Sequence, residues 1–434
     1  MSEHTEKPDG SSCDLNQNLD SVDAKEAIQK EILFDQSLQK IKFAFRLTGL
    51  NIQNEKKTMK QNCVFLFNFL WLNTDIIGAL FWVIDGMLSG KNFTELTYVA
   101  PCLTLSILGD VKAIYLVLNE SNVQTLIAKL RKLEQKANEF ENVEQEKLTE
   151  PDIRLFNVVI KVLNVLNCLM IVVFDLSPLI IIAVKYFTTG ELELMLPFLD
   201  VYPFDSFDLR YWPFAYIHQI WSECIVLLDI CATDYLFFTC CTHIRIQFRL
   251  LQHQYQEIIE PVSVSAVGTI DRSRARTKFK DLAIWHQEII NSASMLEGVY
   301  AKSTLFNFMT SSLVICLTGF NVTTIDDKAF VITFIIFLLM SMLQIFFLCY
   351  FGDILMSSSM EVTNSVYNSR WYLSDVGMGR NVLLVQTRAQ KPCKVTAADF
   401  ADVKARRLLR AFMRILSTAW SYFALLQTVY SSRS

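Results

Sequence analysis

The sequence predicts an all-α membrane protein with seven transmembrane helices, and three observations carry that expectation. Apolar residues make up 52% of the 434 positions and charged residues only 19%, against about 45–50% and about 25% in soluble chains. The apolar residues come in blocks of about 20, enough to cross a hydrocarbon core of roughly 30 Å at about 1.5 Å rise per residue. Lysines and arginines alternate in density between successive loops, which orients the spans. Length alone would suggest two or three soluble domains, and the blocks exclude them.

Taken in order, residues 1–25 are polar and acidic, a composition that does not order. No basic stretch followed by an apolar core opens the chain as in a cleavable signal peptide, so the first span is expected to direct insertion. Residues 32–50 mix Ile32, Leu33, Leu38, Ile41, Phe43, Phe45 and Leu47 with Lys40, Lys42 and Arg46. That pattern reads as an interfacial or re-entrant helix. Spans are expected near 62–85, 93–118, 157–184, 213–242, 303–324, 329–351 and 406–430. Tight turns fall at 87–92 and 325–328, whereas 119–156, 243–302 and 352–405 are long. Connectors of that length are rarely structureless, and Met360, Val366, Tyr367 and Trp371 recur at roughly helical intervals. Helices should therefore extend into a packed cytoplasmic layer.

The charge count sets the topology. Lys40, Lys42, Arg46, Lys56, Lys57 and Lys60 precede the first span, and six basic residues from Lys129 to Arg154 fill the second loop. The fourth and sixth loops are as rich, while the other three offer only Lys91, then Lys185 and Arg210, then Lys328. The positive-inside rule places the N-terminus in the cytoplasm and the C-terminus outside. G-protein-coupled receptors have the opposite topology, and their Asp-Arg-Tyr and Asn-Pro-x-x-Tyr motifs are absent. Two sequons, at Asn92 and Asn321, fall on the expected outer face, close to spans.

Enzymatic chemistry finds no footing. The five histidines are scattered, and neither a phosphate-cradling glycine loop nor metal-spaced Cys/His ligands occur. No catalysis, cofactor, metal or nucleic-acid partner is expected. Nine of the eleven cysteines lie in or beside apolar blocks and read as small buried hydrophobes. Charges within the first four spans, at Asp75, Asp85, Asp110, Lys112, Lys161, Asp175, Glu223, Asp229 and Asp234, are costly against lipid. They form either polar glue between helices or a solvated crevice. Aromatic and small polar residues populate the outer halves of the spans: Tyr98, Cys102, Phe174, Ser177, Ile181, Tyr216, Ile220, Phe320, Thr333 and Phe337. Such a mix suits a small apolar ligand oriented by hydroxyls, and ordinary packing uses the same residues. In the last span Ser421, Leu425 and Val429 share one helical stripe, able to pack on a neighbour or to line a pore that closes by dewetting.

Two C-terminal phrases narrow the choice. The stretch GDILMSSSMEVTNSVYNSRWY, with Tyr367 and Trp371, and the final-span phrase FMRILSTAWSYFALLQTVY, with Ser421-Tyr422-Phe423, resemble insect odorant receptors, moth and butterfly members in particular. Tyr202-Pro203-Phe204-Asp205 is similar to a second-outer-loop phrase of that family. The resemblance implies a ligand-binding subunit of a tetrameric, odorant-gated, non-selective cation channel. It implies assembly with the shared co-receptor, Orco, in the plasma membrane of olfactory sensory neurons, without a G protein. It further implies a small volatile hydrophobic ligand in the outer half of the bundle. Ser421, Leu425 and Val429 would line the pore, and Tyr367 and Trp371 would contact other subunits. The basic run from Lys404 to Arg410 departs from the family's polar segment. Four regions follow: 1–61, a cytoplasmic segment with the amphipathic helix; 62–351, spans one to six with the pocket; 352–405, a cytoplasmic helical anchor; and 406–434, the seventh span with a short extracellular tail. A gustatory receptor is the nearest alternative, with a different final-span phrase. A secondary transporter would show internal repeats or broken helices, and neither is found.

Overall fold

A computed structural model describes residues 33–52, 58–91, 93–138, 143–258, 272–325, 328–373, 376–393 and 407–431. Among them every regular element is helical: α1 (Leu33–Thr48), α2 (Met59–Leu88), α3 (Phe93–Leu118), α4 (Glu120–Asn138) and α5 (Val143–Thr189). There follow α6 (Trp212–Gln256), α7 (Arg272–Thr324), α8 (Lys328–Tyr367), a 3₁₀ turn (Trp371–Leu373), α9 (Val376–Ala389) and α10 (Arg407–Ser431). Six of these, α2, α3, α5, α6, α7 and α8, are long and apolar enough to cross a membrane. At 25 residues α10 is long enough to be the seventh, with arginines and hydroxyls that make it more polar. The Lys404 and Arg406 end of the expected seventh span lies outside the described residues.

Four helices overshoot the bilayer. α5, α6, α7 and α8 have 47, 45, 53 and 40 residues, where about 20 suffice. The excess of α6, α7 and α8 forms a packed layer with α1, α4 and α9. Here Phe34, Leu38, Ile41 and Phe45 of α1 belong to one core with Phe248 and Tyr255 of α6, Phe279 and Trp285 of α7 and Val362 of α8. Beyond the bilayer such burial is driven by water, at roughly 1.5–3 kcal/mol per large side chain. The helix expected at 32–50 is thus a core element of this layer.

Inside the bilayer lipid is as apolar as leucine, so packing and polar contacts must hold the helices together. Leu66, Phe67, Leu70, Ile77, Phe81 and Ile84 of α2, with Val158, Val162, Val165, Leu169 and Val172 of α5, remain exposed. Faces this apolar suit lipid contact and would aggregate in water. Polar links lie between helices: Lys112 of α3 sits 2.6 Å from Asp234 of α6, and Asn73 of α2 donates to Asp110 of α3 at 2.8 Å. Asp85 and Lys161 do not turn inward as expected; both are exposed, Asp85 in the last turn of α2, where it can reach the interface. Cys63 and Cys168 are exposed too, whereas Cys240, Cys241, Cys316, Cys349 and Cys393 are buried.

α6 runs through the centre. Two prolines shape the helices beside it at the end away from α1. Pro101 in α3 and Pro178 in α5 cannot donate to the carbonyl four residues back, which frees Thr97 O and Phe174 O. Asn321 of α7 donates to Thr97 O at 2.8 Å, and Ser177 reaches Phe174 O at 3.4 Å. Asn321 is therefore buried and structural, not a glycan acceptor; Asn92 lies outside the described residues. The turn after α2 closes through Gly90 at φ +72°, with Lys91 N–H donating to Gly86 O at 2.9 Å, an arrangement glycine permits without strain.

Candidate functional site

The connection from Gly190 to Tyr211 folds back into the mouth of the helix bundle. Gln219 of α6, fully buried, holds it by accepting from Phe198 N–H at 3.0 Å, donating to Phe198 O at 3.0 Å and donating to Asp200 Oδ2 at 2.8 Å. Val201 N–H donates to Gly78 O of α2 at 3.2 Å. A side chain at Gly78 would press on Val201 O and Asp200 Cβ at 3.2 and 3.3 Å, so this approach needs a small residue. Tyr202 of the expected Pro-Phe-Asp phrase shares a hydrogen bond with His218 Nδ1 at 3.1 Å. Burial pushes the Asp200 carboxyl up to about 7, against the opposing pull of the Gln219 amide.

Beneath this loop lies a cavity of about 570 Å³, counting its open mouth. Asp75, Ile76 and Ala79 of α2 line it with Val99, Cys102, Leu105 and Ser106 of α3. Met170 and Phe174 of α5, Phe198 and Asp200 of the loop, Glu223 and Val226 of α6 and Phe337 of α8 complete the wall. Phe198 stacks on Phe174 with centroids 6.0 Å apart. An adjoining pocket of about 340 Å³ brings Tyr98, Cys102, Phe174, Ser177 and Thr333 together beside Phe330 and Phe334, whose rings meet Tyr98 edge-on at 5.6 and 5.2 Å. A third space of about 500 Å³ runs deeper, past Asn167, Tyr235 and Gln344, and shares Met170, Leu227 and Phe337 with the first.

Six of the ten expected pocket residues thus line these spaces: Tyr98, Cys102, Phe174, Ser177, Thr333 and Phe337. The other four lie apart from them. Tyr216 packs on Trp212, its hydroxyl donating to the Asp175 carbonyl, and Ile220 packs beside it. Phe320 is wholly buried, and Ile181 is half-buried outside the cavity lining. Phe198 and Asp200, which sequence reasoning passed over, come from the loop just before the Tyr202 phrase. Asp75 and Glu223 carried a signal, being charges inside apolar blocks.

At α10 one face packs and another does not. Ile415 and Ala419 are buried, and Phe412, Leu416, Phe423 and Leu426 lie against the core; the Phe423 ring lies 3.9 Å from where a Cβ on Gly319 of α7 would stand. Ser421 and Leu425 are exposed, Leu425 at 61%, so this stripe meets none of the chain's own described helices. The Val429 side chain lies outside the described residues. Trp371 packs over Gly379 of α9, while Tyr367 and Tyr372 stand exposed. Among the described residues no group of His, Cys, Asp and Glu is placed to hold a metal ion.

The family model described as 7tm Odorant receptor matches residues 92–420. The chain is similar to "Odorant receptor 67c" of Drosophila melanogaster, 24% identical over 373 residues that cover 84% of this chain and 87% of that one. Similarity to "Odorant receptor 85b" of the same fly is 29% over 151 residues, 35% of this chain and 38% of that one. Among solved structures, the insect olfactory receptor OR5 from Machilis hrabei in complex with eugenol superposes with TM-score 0.73 at 14% identity, covering 91% of this chain and 97% of that one. The same receptor in a second structure gives 0.71 at 15% identity, with 91% and 98% covered. The chain shares that receptor's fold, and the family match runs from α3 into α10: it belongs to the 7tm odorant receptor family, multi-pass membrane receptors and not enzymes.

Proposed function

We propose that this chain is the ligand-binding subunit of an odorant-gated, non-selective cation channel in the plasma membrane of olfactory sensory neurons, assembled with the co-receptor Orco as a heterotetramer. The observation that carries the reading is the division of labour between two regions. One end of the bundle holds a largely apolar cavity capped by a loop, whose apolar and aromatic lining suits a small volatile molecule. α10 meanwhile exposes Ser421 and Leu425, a stripe that a pore shared with other subunits would use. α8 reaches both regions, since its Phe337 lines the cavity and the same helix packs on α10. Ligand entry can therefore be coupled to the pore through one rigid element. The N-terminus is cytoplasmic in this reading, and the packed layer of α1, α4 and α9 lies inside the cell, where exposed Tyr367 and half-buried Trp371 would meet neighbouring subunits. The expected pocket residues Tyr98, Cys102, Phe174, Ser177, Thr333 and Phe337 would touch the odorant.

Co-expression with Orco in oocytes, under voltage clamp with a panel of volatile compounds, tests the reading. Inward currents that require both subunits, and whose ligand ranking differs from that of other receptors paired with Orco, are expected. Currents independent of this chain would overturn it.

A further inference from the structure

We propose that the cavity beneath the 190–211 loop selects a ligand carrying a protonated primary amine on an apolar or aromatic body. The inference deepens the receptor reading by naming the ligand class of its site. Asp75, Asp200 and Glu223 all line this cavity, and among the described residues no lysine, arginine or histidine lines it with them. Both Glu223 carboxylate oxygens and Asp75 Oδ1 are buried, and among the described residues none of the three meets a donor in ordinary hydrogen-bond geometry. Their nearest polar company is mostly acidic: Asp175 pairs carboxyl to carboxyl with Glu223, Asp200 does so with Asp75, and the Ser222 hydroxyl also reaches Asp75. The candidate donors nearby are committed elsewhere, the Ser222 hydroxyl to the His218 carbonyl at 2.9 Å. His218 is engaged at Nε2 by Thr74 Oγ at 2.9 Å and at Nδ1 by the Tyr202 hydroxyl at 3.1 Å, leaving Asp75 Oδ1 at 3.8 Å. Lys112 is held by Asp234 at 2.6 Å.

Carboxylates that only tie helices together use their oxygens for it. Asp110 does so toward Asn73, and Asp200 toward Gln219, each at 2.8 Å. Glu223 meets only another carboxyl, that of Asp175, and a buried acceptor without a well-placed donor is strongly disfavoured. The three oxygens without a well-placed donor match the three N–H donors of an ammonium. An alcohol offers one donor, and an ester, ketone or aldehyde offers none. Phe174 and Phe337, on the same wall, supply apolar and ring-face contact for the rest of the molecule.

The test is binding of phenethylamine and of phenethyl alcohol, near-isosteres, to the purified full chain in detergent, read by thermal unfolding. The amine should bind at least about tenfold more tightly than the alcohol. Glu223→Gln, and separately Asp75→Asn, should bring that ratio toward one. Equal binding of the two compounds, or an amine preference untouched in both variants, would overturn the proposal. Because binding is read without gating, amine-selective binding by a chain that gives no Orco-dependent current supports this inference and removes the channel reading. Orco-dependent currents to alcohols or esters, with no amine selectivity in binding, do the reverse.

Discussion

Lys112 and Asp234 sit 2.6 Å apart with side chains 3% and 6% exposed, and Gln344 donates to the second Asp234 oxygen at 2.9 Å. The pair joins α3 to α6 where no water competes, so removing one partner strands a charge. Lys112→Met should destabilise the chain by about 3–5 kcal/mol, seen as loss of the monodisperse peak in size exclusion of detergent extracts. Adding Asp234→Leu should restore much of it, because the double change leaves no unpaired charge. Glu134 of α4 behaves differently. Its carboxylate accepts from Phe34 N–H at 3.0 Å and faces His243 at 3.9 Å, and burial raises it from 4.5 to about 7. A carboxyl whose folded value is raised keeps its proton longer in the folded state, so its stabilising effect is greatest below 4.5 and declines as pH rises toward 7. The docking of α1 on α4 should therefore loosen between about pH 5 and about pH 7.5, measured by hydrogen exchange of the α1 amides, and Glu134→Gln should flatten that dependence.

Helices are where the sequence was most legible. Spans announce themselves because a bilayer demands a local run of about 20 apolar residues, and the long loops betrayed their helices through spacing alone. α1 shows the limit: its amphipathic pattern was plain, but that Phe34 meets Glu134 of α4 and His243 of α6 depends on segments far along the chain. The cavity was only partly legible for the same reason. Cys102, Phe174 and Phe337 stood out by depth in their spans, whereas Phe198 and Asp200 acquire their place from Gln219 gripping a loop backbone, which no local pattern announces. The 3₁₀ turn before α9 carries a prediction at this scale. Trp371 packs on Gly379, its ring carbons 3.8 and 3.9 Å from a Cβ position there, while Tyr367 is 63% exposed. Trp371→Ala should thus loosen α9 and lower surface expression of the Orco complex, whereas Tyr367→Ala should lower assembly at unchanged stability of the isolated chain. Both should leave the ranking of odorants intact, as read by surface biotinylation beside dose–response curves.

At the scale of the whole molecule, the faces left exposed among the described residues include the apolar sides of α2 and α5, which suit lipid, and the Ser421–Leu425 stripe of α10. Orientation decides what the second can do. If the N-terminus lies inside, as we propose from the basic loops, an epitope fused after Ser434 should be stained on intact cells and one at Met1 only after permeabilisation. If α10 then lines a pore with equivalent helices of other subunits, Leu425 is positioned to close it by excluding water. A hydroxyl there would hydrate the constriction and favour the conducting state over the closed one. In the proposed complex the co-receptor supplies much of the ring, so a change in one subunit alters only part of the circumference and the effect should be moderate. Leu425→Ser is expected to raise ligand-independent current or shift cation permeability ratios at unchanged odorant ranking. The cavity lies on other helices, so binding should not follow the change. A normally expressed Leu425→Ser complex with wild-type baseline and permeability would mean that this 61%-exposed side chain meets lipid or a partner helix, and that the pore is lined elsewhere.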